Sequence, residues 1–472
     1  MTEVMYLISS SDNRTYIKQE MRKVCELEVA IGKSQYPPNL KGITIKNLSN
    51  KTKFDWLKFF HSLSKDGGYI LTRDELLITS AKMLHSILGV LNKIEASTIA
   101  NYLSWRIVYE LINILPSKFV RLFEEYKSVK IHRWDMCVQH TSYAFPLETA
   151  LLYGQRVLPK GTQDEATNLL QDVMDVFLGL IPKQSWMDQR TRDKALLKAK
   201  SMLYDIGYPE NLTMILSKEG LRDFAIDVNY VKTYRNMIRF VVLKEIKSLK
   251  TVKNRNTFMK REPLKPNAYY YRTYNKIEMA ISLLENTFFS IKNYKAANFA
   301  TLGMIFAHEI NHGFDIQGSR YDEVGNVGKL LSKDSSNYIY QKHLCLKDLY
   351  NNFTHNSEKI RSVINHREQF CDAAGVEIAF QAYQRWKKQN TEEEMLPGIK
   401  LTHDQLFFVS YAQMWCAKYK DSELKRMLTK GSYPFPLRVQ GTMMNSKGFA
   451  DAFSCVPDAP MIPHKRCEVW ET

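Results

Sequence analysis

No stretch of this 472-residue sequence reaches 18 consecutive apolar residues, so no transmembrane segment is expected. Glycine (20) and proline (15) are sparse, which excludes collagen-like and linker-like chains. Low-complexity tracts, internal repeats and glycine-rich arms are missing. Lys and Arg are spread along the chain rather than gathered in a block, and no RNA-binding, zinc-finger or homeodomain signature occurs. The net charge of +16 would suit nucleic acid or a lipid surface. A solvated basic surface is the simpler reading, and no nucleic-acid partner is expected. Met1 to Ser11 lack a basic stretch followed by a long apolar one, so no secretory signal is read there.

Two features point the other way. Glycosylation sequons occur at Asn13, Asn47, Asn50, Asn211 and Asn352. The cysteines number seven, and an odd count in a secreted protein leaves at least one thiol unpaired within the chain. A shortened version of a longer secreted or membrane-anchored protein reconciles these facts.

The length suggests about two to four domains, with a core large enough to need no disulfide or metal for folding. The first 250 residues read as mainly helical. Ala166, Leu169, Leu170, Val173, Phe177 and Leu180 recur at helical spacing. Asp188 suits the N-cap of a helix through Lys200, with Gly207 and Pro209 ending that element. The basic stretch 244–260 is the best boundary candidate. Beyond it, Asn267-Ala-Tyr-Tyr-Tyr271 suits an extended strand, and helices resume near Ala296.

His308-Glu-Ile-Asn-His312 is an H-E-x-x-H motif that follows the apolar run Leu302 to Ala307. On a helix, His308 and His312 are i and i+4 and share a face. Two neutral imidazoles so placed can bind one Zn²⁺, and Glu309 stands where a general base must. Two chance histidines in a helix are the alternative, which the apolar helical context disfavours. Such a site needs a third protein ligand. Glu368 and Asp372 are again i and i+4. Glu368 could ligate while Asp372 accepts an N–H from a ligand histidine; alone, the pair would read as a solvated acidic face. Cys371 reads as a small buried residue rather than a fourth ligand.

With these motifs in hand, the chain resembles the neprilysin and endothelin-converting-enzyme family of zinc metallopeptidases. The matching text is Asn267-Ala-Tyr-Tyr270, His308-Glu-Ile-Asn-His-Gly-Phe-Asp315, Glu368-Gln-Phe-Cys-Asp372, Leu406 to Cys416 and Cys467-Glu-Val-Trp470. Upstream, Asn101 to Arg106, Ser185 to Arg192 and Ile206-Gly-Tyr-Pro209 also match, in the family's order. The resemblance implies a mainly α fold with small β (α+β) in two lobes: a helical capping lobe over 1–255, incomplete at its N-terminus, and a thermolysin-like zinc lobe over 256–472. It implies one Zn²⁺ held by His308, His312 and Glu368, with Glu309 and Asp372 as catalytic carboxylates. Asn267, Ala268 and Arg438 become substrate-binding residues, peptides the substrates, and the cell surface or extracellular space the location.

By the same analogy the chain begins partway into the capping lobe. Partners of Cys137, Cys416 and Cys455 then lie in the missing part, and Cys345 pairs with Cys467. Two departures stand out. Met279 to Phe289 lacks the family's Pro and Gly positions. Ser432 stands where the family has a histidine six residues before its arginine, and Tyr433 could offer a phenol in its place. The expectation is a zinc metalloendopeptidase for short peptides, its activity impaired by Ser432 and the missing N-terminus. The alternative is an inactive relative that binds peptides or a partner.

Overall fold

The structure, a computed structural model, describes residues 1–9, 11–34, 41–64, 71–127, 129–208, 224–248, 254–256, 262–285, 287–355, 358–359, 366–391, 393–429, 433–457 and 459–471. The chain packs as two units. One comprises Met1–Ala144 with Glu219–Lys253, the other Phe145–Lys218 with Asn254–Thr472. The third crossing thus falls inside the basic stretch 244–260, much of which lies outside the described residues. The segment Phe145–Lys218 packs with residues after 254, an association that sequence pattern has no means of showing.

The first unit is helical with one small ribbon. Helix α1 (Arg14–Lys33) starts at Asn13, whose side chain accepts from the Tyr16 N–H at 3.0 Å, satisfying one of the free donors of a helix start. Ile17, Met21 and Val24 lie on its inner face and meet Trp105 of α2 (Ala96–Leu111), with Ile112 and Phe119. Strands β1 (Lys41–Thr44) and β2 (Leu76–Thr79) pair antiparallel, Lys41 opposite Thr79.

The second unit is built around α3 (Thr162–Leu180), where all six expected apolar positions are buried. Asp188 caps α4 (Gln189–Lys200) by accepting from the Thr191 N–H at 2.8 Å. An unexpected strand, β3 (Leu203–Ile206), follows before Gly207, whose φ of 78° ends it; Pro209 lies outside the described residues. Strand β4 (Ala268–Tyr271) realises the expected extended segment. It pairs antiparallel with β5 (Lys276–Met279), which pairs parallel with β3. The order β3-β5-β4 leaves one edge of β4 unpaired among the described residues. Past β5, Ile281–Leu284 form a buried 3₁₀ turn in the stretch that lacks Pro and Gly.

Helical turns run from Lys295 through a π-helical turn, Phe299–Gly303, into α5 (Met304–His312). After α6 (Lys333–Asn351) comes α7 (Arg367–Gln389), which lies along α5. Gly375 makes that approach possible: a Cβ there would stand 3.0 Å from the His308 nitrogen and 3.2 Å from its Cα. Helices α8 (His403–Met414) and α9 (Phe435–Asn445) complete the unit.

The chain end is tied into this core. Cys345 on α6 is disulfide-bonded to Cys467. Trp470 packs edge-on against Phe177 at 5.1 Å, and its indole N–H donates to Asn311 Oδ1 on α5 at 2.7 Å. Gln184 and the Glu471 backbone exchange two hydrogen bonds of 3.0 and 2.8 Å. A buried indole with its N–H satisfied fixes orientation as well as burying apolar area, so Trp470 holds α5 in place.

Candidate metal centre

Helix α5 presents His308 and His312 on one face, and α7 presents Glu368 and Asp372 on the face opposite. The imidazole planes stand at 87°. His308 Nε2 and His312 Nε2 approach to 3.1 Å. Glu368 places one oxygen 3.3 Å from His308 Nε2 and the other 3.6 Å from His312 Nε2.

The opposite ring nitrogens fix the tautomers. His308 Nδ1–H donates to Asp372 Oδ1 at 2.8 Å, and His312 Nδ1–H donates to Asp315 Oδ2 at 3.0 Å. Both Nε2 atoms then carry lone pairs aimed at each other and at a carboxylate. Two ring nitrogens and two carboxylate oxygens so placed repel unless a cation sits among them. A tetrahedral ion with ligands at about 2.0–2.1 Å would set its donors roughly 3.3 Å apart, and the three observed separations bracket that value. The donor set therefore fits a zinc ion with room for a fourth ligand.

The carboxylates behind the histidines are themselves held. Asp372 is fully buried and accepts two hydrogen bonds from Arg438, from Nε to Oδ2 and from a terminal nitrogen to Oδ1 at 2.8 Å. Burial works to raise the Asp372 carboxyl, but the Arg438 charge and the His308 bond overcome it and hold it low. Asp315, also fully buried, accepts from Arg367 Nε at 2.7 Å and from the backbone N–H groups of Gln317 and Gly318 at 2.8 and 2.7 Å. Burial again opposes ionisation, and the His312 bond with the Arg367 charge reverses it. For His308, burial pushes the imidazole down, yet bonds to Asp372 and Glu368 carry it up to about 10. A site that draws a proton this strongly when empty draws a cation by the same charges.

All eight sequence-predicted residues line one cavity of about 690 Å³: Asn267, Ala268, His308, Glu309, His312, Glu368, Asp372 and Arg438. Along its wall run β4, with Tyr269 to Arg272, and the apolar side chains of Leu283, Phe288, Met304, Ile305, Met414, Trp415 and Phe435. The Arg438 guanidinium stacks over Trp415, 4.0 Å from its ring centre. Cys371 is buried, and its sulfur lies 3.2 Å from His312 Nδ1. That is the wrong nitrogen for sharing an ion with Nε2, in line with its reading as a packing residue. Ser432 lies outside the described residues. Tyr433 does not line the cavity; its ring is buried against Tyr350 at 4.9 Å, so the phenol that could have offered a substitute donor points into the core.

Three supports escaped sequence reasoning. Asp315 sits inside a quoted motif, but nothing in its spacing announces the bond to His312. Arg367 adjoins Glu368 without a pattern of its own. Lys198, fully buried on α4, donates to the carbonyls of Gly313, Gly318 and Tyr321 at 2.7, 2.7 and 2.8 Å. Burial pushes its pKa down to about 7, opposed by Asp315 and its acidic neighbours. Three acceptors match the three protons of an ammonium, which favours the charged form. Lys198 thereby fixes the segment that carries Asp315. Gly318 is required there, since a Cβ would fall 1.9 Å from the His312 carbonyl oxygen.

Comparison with known proteins gives a consistent picture. Sequence profiles described as peptidase family M13 match residues 1–209 and 267–469. Neprilysin-11 of Caenorhabditis elegans is 29% identical over 500 residues, covering 100% of this chain and 59% of its own. Human membrane metallo-endopeptidase-like 1 is 28% identical, covering 96% of this chain and 62% of its own. Bovine endothelin-converting enzyme 1 is 27% identical with the same coverages. The chain thus spans roughly three fifths of the length of these curated relatives. Among solved structures, the Mycobacterium tuberculosis zinc metalloprotease ZMP1, in complex with an inhibitor, superposes with a TM-score of 0.86 at 22% identity. That match covers 100% of this chain and 73% of the other. PEPO from Lactobacillus rhamnosis gives 0.79 at 18%, covering 98% and 72%. At these identities the structural likeness bears on the fold.

Proposed function

The chain belongs to peptidase family M13, and on that premise we propose that it is a zinc-dependent metalloendopeptidase that hydrolyses internal bonds of short peptides. The observation that carries the reading is the set of His308, His312 and Glu368 donor atoms, 3.1 to 3.6 Å apart, in the same cavity as Glu309 and an open strand edge. When bound there, zinc would supply Lewis acidity, polarising the scissile carbonyl and making water a better nucleophile at neutral pH.

The protein's own groups do the rest. Glu309, buried at 7% exposure, draws the proton from the attacking water and delivers it to the leaving nitrogen as the C–N bond breaks. Asp372 and Asp315 keep the two imidazoles turned so that Nε2 faces the donor cluster. Arg438, held by Asp372 and Trp415, presents its remaining N–H groups to substrate carbonyls. The free edge of β4, from Asn267 and Ala268 onward, receives the peptide backbone by strand addition. In this reading residues 256–472 form the zinc lobe, packed in one unit with Phe145–Lys218, and the rest of 1–255 forms a second, helical lobe. The sequons and the Cys345–Cys467 disulfide suit an extracellular or cell-surface setting.

Ser432 favours a second reading, a relative that binds peptides without turning them over, because it replaces a hydrogen-bond donor of the family. Metal analysis combined with a fluorogenic peptide assay separates the two. One zinc per chain with chelator-sensitive cleavage supports the enzyme. One zinc per chain with peptide binding and no cleavage supports the binder.

A further inference from the structure

The cavity wall carries three guanidinium groups, those of Arg272, Arg367 and Arg438. Two are neutralised: Arg367 pairs with Asp315 at 2.6 Å, and Arg438 pairs with Asp372. Arg272 is different. It follows β4 directly, is half-buried, and its guanidinium has no hydrogen bond or ion pair with the described residues. Its influence on the wall is felt at Tyr270, whose phenol burial pushes strongly upward while the Arg272 charge pulls it back. The Tyr270 O–H itself donates to Asn275 Oδ1 at 2.9 Å.

We propose that Arg272 forms a subsite for an acidic side chain of the peptide substrate, three to five residues from the bond that is cleaved. The proposal rests on the peptidase reading above. A peptide added to the open edge of β4 lies residue for residue beside it, advancing about 3.3 Å per residue. Arg272 lies four residues beyond Ala268, so the substrate residue beside it is about four removed from the one beside Ala268. An arginine without a carboxylate, in a cleft where the other guanidinium groups are paired with carboxylates, leaves a positive potential that a carboxylate complements. The planar guanidinium suits a carboxylate in two-point contact.

The test uses internally quenched peptides with both ends blocked, so that side chains carry the only charges. Glu, Gln or Lys is placed in turn at each of the five positions on either side of the cleaved bond. The expected result is one position, three to five residues from the bond, where Glu exceeds Lys in kcat/KM by about threefold or more. That ratio inverts in Arg272→Glu, levels in Arg272→Gln, and shrinks at high salt. Glu/Lys ratios that stay within twofold of the parent's at every position in both variants would overturn the subsite while leaving the peptidase reading intact. If the parent cleaves none of the peptides, the peptidase reading fails, and the affinities of the same peptides by fluorescence anisotropy decide the subsite. An inverted Glu/Lys affinity ratio in Arg272→Glu then supports it, and equal ratios overturn it.

Discussion

Gly375 lies against the backbone of His308, with its missing Cβ directed at a nitrogen 3.0 Å away. The distance between α5 and α7 at the metal centre is set by that contact. Gly375→Ala should push the helices apart by a few tenths of an ångström and draw Glu368 back from the two histidines. Overpacking of this kind typically destabilises by about 1–3 kcal/mol. The expected outcome is a lower melting temperature with weaker zinc retention, and a larger effect for Gly375→Val. Unchanged zinc competition against a chelator in both variants would show that the helix spacing does not control the site.

Asp372 and Glu368 should separate in their effects. Asp372→Asn keeps the shape but loses the charge that orients His308, and loss of such a supporting carboxylate typically costs about 10–100-fold in metal affinity or activity. Glu368→Gln removes a proposed ligand and should weaken zinc further. The check is chelator competition on both variants; an Asp372→Asn chain identical to the parent would contradict its supporting role. Because Asp372 also holds Arg438, Asp372→Asn should raise KM as well.

His343 on α6 gives a pH dependence independent of activity. Its ring is buried and stacks on Phe370 at 4.5 Å. Burial pushes its pKa down from 6.5 to about 4, with the Asp315 charge opposing. The unfolded chain therefore takes up this proton first as pH falls. Stability from the neutral ring is fully present above pH 6.5 and is lost between about 6.5 and 4. A difference of roughly 2.5 units at 1.36 kcal/mol each is on the order of 3 kcal/mol. Urea midpoints at pH 7.5 and 5 should therefore fall less in His343→Phe than in the parent. Equal falls would assign the acid sensitivity to other groups.

Much of this site was legible because helical periodicity fixes which side chains share a face. His308 with His312, and Glu368 with Asp372, are each four apart, so their meeting needed only the two helices to be adjacent. The supports were not legible, because each acts across the chain. Lys198 meets Gly313 over 115 residues, and Trp470 meets Asn311 over 159; no local pattern encodes either. Strand β3 escaped notice since four residues beside a buried sheet carry no alternation. Tyr433 shows the limit of adjacency: standing next to Ser432 in sequence, it turns into the core.

With Tyr433 buried against Tyr350, its phenol does not replace the donor that the family's histidine supplies in place of Ser432. Attack on a peptide carbonyl builds negative charge on its oxygen, and one missing donor typically costs on the order of 10²–10³ in turnover. Ser432→His should raise kcat tenfold or more with KM little changed. A variant no faster than the parent would mean that another group, Arg438 foremost, already stabilises that oxygen.

The central claim is that one zinc, held by His308, His312 and Glu368, works with Glu309 to cleave peptides. A zinc add-back titration of the metal-free chain, read as the rate of cleavage of an internally quenched peptide, tests it most directly. The account predicts that the rate rises to a plateau at one zinc per chain, that His312→Ala takes up no zinc at that site, and that Glu309→Gln takes up one zinc while the rate stays at baseline. Full cleavage by the metal-free chain, or a Glu309→Gln rate equal to the parent's, would contradict it.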